Sequence, residues 1–117
     1  MPQSFLVFDF GKNEEAAQQG RHTIERWKQG FRLDKKMLLK FDRKEDAPDE
    51  DAAKARLAPG DVLLLVRLDF SDHERLSHQR WVERIPNEAA FKEASARVIQ
   101  SGDADFERAA ERFGALQ

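Results

Sequence analysis

The first third of the chain changes from a strand period to a helix period. Residues 4–10 carry apolar side chains on both faces of an extended chain, which predicts an interior strand. From residue 14 to residue 31 the apolar side chains fall on one arc of a helix with 3.6 residues per turn, and Asn13 is its predicted N-cap. Trp27 and Phe31 lie on this arc, so both are predicted to be buried in the core.

Two more strands follow, separated by an acidic segment. Residues 36–43 alternate between apolar and charged positions, which predicts a half-buried strand. Residues 62–70 form the most apolar segment of the chain and predict another interior strand. Between these strands, residues 44–51 are polar and contain proline, which predicts a loop, and a short helical turn is predicted over residues 52–57.

The last third predicts one strand and two helices. Residues 71–78 are polar and predict a loop or a single helical turn. Residues 81–86 alternate in polarity and predict a fourth strand that ends at a proline. Helices are then predicted from residue 87 to about residue 100, and from residue 103 to residue 116, where Phe106 and Phe113 share an apolar arc.

The predicted order β-α-β-β-β-α-α indicates an α+β fold, in which a small sheet of about four strands packs against helices. The length of 117 residues fits a single domain over residues 1–117. No segment approaches the roughly 20 apolar residues of a membrane span, and the N-terminus lacks the pattern of a signal peptide. Since the chain has no cysteine, it suits a reducing compartment, and we predict a cytoplasmic protein without a membrane partner.

Charge is spread unevenly along the chain. Residues 1–44 carry a net charge of +4, residues 45–61 a net charge of −4, and residues 62–117 a net charge of −2. The cations of the first segment form a candidate surface for nucleic acid or another polyanion. The residues of this candidate surface are Arg21, Lys28, Arg32, Lys35, Lys36, Lys40 and Arg43.

Two features count against this candidate surface. Glu25 falls within the stripe of cations on the predicted helix, which is typical of a solvated face with internal ion pairs. The pI of about 5.9 also lies well below the value above 9 that nucleic-acid modules often have. A solvated helix face is therefore favoured over a binding surface.

Three carboxylates at predicted strand ends form a candidate metal site. Asp9, Asp42 and Asp69 would supply the oxygen ligands that Mg²⁺ prefers if the strand ends converged. They can equally be solvent-facing residues where strands leave the core. His73 and His78 are five positions apart, so one helix could not present both to a zinc ion.

The glycines never cluster as in a phosphate-binding loop, and no serine stands in a G-x-S-x-G turn. We therefore predict a non-catalytic binding or assembly module with no cofactor and an unknown partner. A homodimer is expected because a small open sheet has edges that need cover. Nucleic-acid binding through residues 21–44 and metal-dependent hydrolysis at the three aspartates are the alternatives.

Overall fold

A computed structural model describes residues 3–43, 61–92 and 94–116. Its four strands are β1 (Gln3–Gly11), β2 (Met37–Arg43), β3 (Val62–Asp69) and β4 (Ser95–Gln100). The helices are α1 (Glu14–Gly30), α2 (Arg75–Arg84) and α3 (Phe106–Ala115). Single 3₁₀ turns cover Asp72–Glu74, Ile85–Asn87 and Ala89–Phe91.

The strands form one sheet in the order β2-β3-β1-β4, and every neighbouring pair is antiparallel. The predicted α+β class, with a four-stranded sheet and helices packed on it, is confirmed. From β1 to β4 the chain has the β-α-β-β-α-β connectivity of the split β-α-β, ferredoxin-like arrangement. Since such folds carry many unrelated functions, the connectivity leaves the function to be argued from a site.

One face of the sheet is covered by α1, α2 and the 3₁₀ turns. Phe91 from the last turn stacks on Phe8 of β1, with ring centroids 4.4 Å apart. Ile24 and Trp27 of α1 are buried in the same cluster, so the predicted amphipathic helix is confirmed. The core on this face also includes Leu6, Leu64, Val66, Leu68, Met37, Trp81, Val82 and Ile85.

The other face of the sheet is covered by α3. Phe5 of β1 lies under this helix, with ring centroids 5.4 Å from Phe106 and 5.7 Å from Phe113. The cluster on this face also contains Val7, Leu63, Leu65, Ile99, Ala109 and Leu116. Because helices cover both faces, the two central strands β1 and β3 are apolar on both sides, as the sequence predicts for interior strands.

The predicted strand at residues 81–86 and the predicted helix at residues 87–100 are both wrong. Residues 75–84 form α2, because Trp81, Val82 and Ile85 lie on one helical face and pack on the core. Residues 95–100 form β4, which pairs with β1 from Ser4 opposite Gln100 to Asp9 opposite Ser95. Pairing with a strand about 90 residues away overrides the weak helical pattern of the segment.

Several predictions fall on residues that the structure does not describe. The acidic loop at residues 44–51 and the helical turn at residues 52–57 lie outside the described residues. Within the described part of the chain, none of the helices has the length and apolar character needed to cross a membrane.

Candidate binding cleft

A polar cleft of about 540 Å³ opens at the end of the sheet where β1 begins and β4 ends. The first turns of α2 form its third wall. Its volume is in the range of small-ligand sites, which is roughly 300–1,000 Å³. The cleft is lined by Gln3, Ser4, Asp72, Arg75, His78, Gln79, Gln100 and Ser101.

The 3₁₀ turn at Asp72–Glu74, which leads directly into α2, begins with a capping box formed by Ser71 and Glu74. The Glu74 carboxylate accepts hydrogen bonds from the Ser71 amide at 3.2 Å and the Ser71 hydroxyl at 2.8 Å. Glu74 also forms an ion pair with Lys36, the residue before β2. The hydrogen bonds from Lys36 and then from Ser71 lower the pKa of Glu74 to about 2. Residues 75, 78 and 79 then share the helix face toward the cleft.

A serine and a histidine meet in the wall of the cleft. Ser4 is fully buried, and its Oγ lies 2.8 Å from Nε2 of His78. The His78 ring also contacts Phe70, with ring centroids 5.6 Å apart. Burial lowers the pKa of His78, so the imidazole is neutral near physiological pH. The hydrogen bond and the aromatic contact hold this neutral ring in place in the cleft wall.

A Ser–His contact also occurs in many nucleophilic sites, where the serine oxygen has to be open to the substrate. The Ser4 side chain has 0% exposure, so its oxygen cannot reach a bound substrate. Its hydroxyl satisfies the imidazole of His78, which is the ordinary way to accommodate a buried polar group. The arrangement positions an imidazole beside the Arg75 guanidinium and several amides, and such a set can bind a polar ligand.

Local sequence patterns do not reveal this site, because its two central residues, Ser4 and His78, are 74 positions apart. The polar segment 71–78 predicts a loop or a single helical turn for His78, and Ser4 begins the predicted apolar strand. The available signal was Ser4 itself, since a polar side chain in an interior strand must find a partner. The sequence could not name that partner because α2 was not recognised as a helix.

The structure does not bring the three predicted metal-ligating aspartates together. Because β1 and β3 are antiparallel, Asp9 lies opposite Leu63 at one end of the sheet, whereas Asp69 lies opposite Gln3 at the other end. Asp42 is buried and forms an ion pair with Arg112 of α3. Among the residues described, no group of three His, Asp or Glu side chains could hold a metal ion.

Four of the seven predicted polyanion-binding cations are engaged within the protein. Their contacts are Arg21 with Glu25 at 3.2 Å, Lys36 with Glu74, Arg43 with Glu14, and Lys40 with the carbonyls of Phe113 and Leu116 at 3.0 and 2.9 Å. The bond from Arg43 is the main cause that lowers the pKa of Glu14. These four cations therefore form contacts within the protein. Nucleic-acid binding by the seven cations stays a prediction.

Comparisons with family models, with curated proteins and with solved structures find no match for this chain. The described residues form a small α+β domain of split β-α-β connectivity, with a polar cleft where β1 begins and β4 ends. Its function is therefore argued from the cleft and from the exposed surfaces.

Proposed function

We propose that this protein is a non-catalytic binding module that holds a small polar anion in the cleft at the start of β1. The observation that carries the proposal is the 2.8 Å contact between Ser4 and His78, which fixes an imidazole in the wall of a cleft of about 540 Å³. A side chain held by a buried partner loses little conformational entropy when a ligand binds to it, so such preorganisation favours binding.

The charges and donors of the cleft favour a ligand that combines an anionic group with hydroxyl groups. Arg75 supplies a guanidinium, whose geometry suits a carboxylate or a phosphate. Asp72 lines the same cleft and takes part in an interaction within the protein. Three amide side chains, from Gln3, Gln79 and Gln100, can exchange hydrogen bonds with hydroxyls. Hydroxy acids and sugar phosphates have this chemistry.

Replacing Arg75 by Gln is expected to weaken anion binding by about 10-fold or more, because a hydrogen bond to a charged group contributes about 1.5–3 kcal/mol. Nuclear magnetic resonance titration of backbone amides with citrate, inorganic phosphate and glucose 6-phosphate measures this effect. Shifts are expected at residues 3, 4, 78, 79 and 100, which line the cleft. Glucose, which lacks the anionic group, is expected to shift them less.

Lys12→Gln is the matched control, because Lys12 is an exposed cation beyond the opposite end of β1. It should bind the same anions as the unmodified protein. The proposal fails if no anion shifts the cleft amides at about 10 mM, well above the Kd of a weak millimolar complex. It also fails if Arg75→Gln and Lys12→Gln behave alike.

Self-assembly is a second candidate function, and the exposed edge of β4 favours it. β4 is the last strand of the sheet, so one row of its backbone groups lacks a strand partner in the part of the chain described here. Val98 is 37% exposed on this strand, and Arg97 is its only charged residue. Two-fold antiparallel pairing of β4 with the β4 of a second copy would extend the sheet to eight strands.

Val98→Lys is expected to convert a homodimer into a monomer, because a charge on an edge strand opposes edge-to-edge pairing. Sedimentation velocity over a range of protein concentrations measures the change. Leu76→Lys is the control, since Leu76 is 76% exposed on α2 and lies outside the β4 edge. A protein that stays monomeric at about 1 mM would contradict assembly without affecting the proposal for the cleft.

A cytoplasmic location belongs to the same proposal. It rests on the cysteine-free composition, which suits a reducing compartment. Fractionation of cells that produce the protein tests it.

A further inference from the structure

A second exposed surface lies where the end of α1 meets the end of α2. The guanidinium carbon of Arg84 is 5.1 Å from the ring centroid of Trp81, 5.5 Å from that of Trp27 and 5.6 Å from that of Phe31. Trp27 and Trp81 are buried, whereas Phe31 is 54% exposed. The sequence prediction that Phe31 belongs to the core is therefore wrong, and one ring of this cluster faces solvent.

Phe31 lies directly after the last residue of α1. Phe31 is the C-cap of α1, and its amide donates to the carbonyl of Trp27 at 2.9 Å. The next residue, Arg32, has a φ of 56°, a left-handed conformation that is uncommon outside glycine and turns the chain away from the helix axis. Phe31 lies one helical turn beyond Trp27, and it is 54% exposed whereas Trp27 is 5% exposed.

Phe31 packs against two neighbouring side chains although it is exposed. Its ring meets the Trp81 ring edge to face, with centroids 5.3 Å apart and an interplanar angle of 77°. Arg84 lies against both rings. A fixed aromatic ring that is open to solvent is the element that single-stranded nucleic acids use for base stacking.

Cations surround this ring in the sequence and on the neighbouring helix. In addition to Arg84, they are Lys28, Arg32, Lys35 and Arg80. In the segments that the structure describes, none of these side chains forms an ion pair, in contrast to Arg21 and Lys36. Asp34 and Glu83 are the acidic residues interspersed among them, and the Glu83 carboxylate accepts a hydrogen bond from Gln79 at 3.0 Å. We name these residues together with Phe31 the Phe31 patch, and its five cations outnumber its two carboxylates.

We propose that the Phe31 patch binds single-stranded nucleic acid, with one base stacked on the exposed ring and the phosphates beside the flanking cations. Three of the flanking cations, Lys28, Arg32 and Lys35, belong to the set that the sequence predicts for a polyanion. The exposure of the Phe31 ring and its contact with a cation of α2 are evident only in the tertiary structure. This proposal is independent of the cleft, which lies around Ser4 and His78 and is lined by other residues.

Fluorescence anisotropy with labelled oligothymidine and oligouridine of about 12 nucleotides tests the proposal, a length within the usual site sizes. At about 50 mM salt we expect a Kd of about 1–100 µM, and a weaker affinity at about 200 mM salt because phosphate contacts release counterions. A duplex of the same length should bind more weakly, since its bases are not free to stack on Phe31.

Phe31→Leu is expected to weaken binding about 10-fold, because it removes the stacking ring and keeps an apolar side chain. Phe31→Trp, which restores a ring, should bind at least as tightly as the unmodified protein. Arg32→Asn is the second variant, since asparagine tolerates the left-handed backbone at this position. It should reduce the slope of log affinity against log salt by about 0.7 if Arg32 contacts one phosphate.

Leu76→Ala is the matched control, an exposed apolar residue of α2 outside the patch, and it should leave binding unchanged. Three results would overturn the proposal: no oligonucleotide binding at about 100 µM protein, equal affinity of Phe31→Leu and the unmodified protein, or equal affinity for duplex and single strands. If the patch instead joins two copies of the chain, the protein should form an oligomer that does not bind oligonucleotides. Phe31→Leu should then dissociate this oligomer.

Discussion

Arg112→Met is expected to lower the free energy of unfolding by about 3–5 kcal/mol, the cost of breaking a buried ion pair by removing one partner. Asp42 on β2 is fully buried, and Arg112 on α3 is 9% exposed. The Arg112 Nε donates to Asp42 Oδ2 at 2.8 Å, and a second bond joins Nη2 to Oδ1, so the pair is bidentate. The substitution leaves the Asp42 carboxylate buried without its guanidinium. Urea unfolding followed by circular dichroism measures the loss.

The double variant Asp42→Leu with Arg112→Met distinguishes two contributions to the free energy of unfolding. One is the cost of a buried carboxylate that has lost its guanidinium, and the other is the net contribution of the ion pair. Replacing both partners by apolar residues is often nearly neutral, so most of the lost stability should return. Glu111→Met, at an exposed neighbouring position of α3, is the control and should change stability by less than about 0.5 kcal/mol. The interpretation is wrong if Arg112→Met is as stable as the control, or if the double variant is no more stable than the single one.

Gly20→Val is expected to lower the free energy of unfolding by about 3 kcal/mol, because it overpacks a filled core. Gly20 lies in the buried face of α1, where a Cβ would come within 2.8 Å of Phe91 Cε1 and 3.1 Å of Phe10 Cζ. Phe91 cannot move away easily, since it is 1% exposed and stacks on Phe8. Replacing a helical glycine by alanine stabilises a helix by about 1 kcal/mol. A gain of this size does not offset the clash at Gly20.

Gly114→Ala provides the opposite control for Gly20. Gly114 lies in α3, and a Cβ at this position would meet no atom within 4 Å. Its replacement should therefore raise stability by about 0.5–1 kcal/mol. Thermal unfolding of both variants tests the comparison. If Gly20→Val unfolds at the temperature of the unmodified protein, the contact between α1 and Phe91 is looser than the structure shows.

The buried pair also explains how α3 can close the second face of the sheet. Lys40 of β2 donates to the carbonyls of Phe113 and Leu116, at 3.0 and 2.9 Å, where the helix ends. A cation beside the last carbonyls satisfies groups that have no partner within a helix. Together with the Asp42–Arg112 pair, this contact fixes α3 against an edge strand that carries polar side chains. Lys40, one of the cations predicted from the sequence to bind a polyanion, therefore stabilises the fold.

The local pattern of apolar and polar residues predicts an element correctly where the apolar side chains form one continuous stripe, or where apolar and polar positions alternate strictly. α1 and α3 are each recognisable from an apolar arc, and β1 and β3 from apolar side chains on both faces. It was insufficient for residues 81–100, where α2 and β4 are short and weakly patterned. There, Trp81 and Val82 pack on the core as a helix, and Ile99 lies opposite Phe5 as part of a strand. Such segments take the structure that their distant partners allow.

The sequence alone determined the α+β class, the two apolar faces of the central strands and the positions of the first and last helices, since these depend on side chains that are near in the chain. Only the tertiary structure decided the rest. Antiparallel pairing sends Asp9 and Asp69 to opposite ends of the sheet, and the fold of α2 brings His78 to Ser4 across 74 positions. The end of α1 at Gly30 leaves Phe31, its C-cap residue, 54% exposed. Strand direction and contacts between distant residues are not encoded in local periodicity, so the polar cleft and the surface around Phe31 form only when the chain has folded.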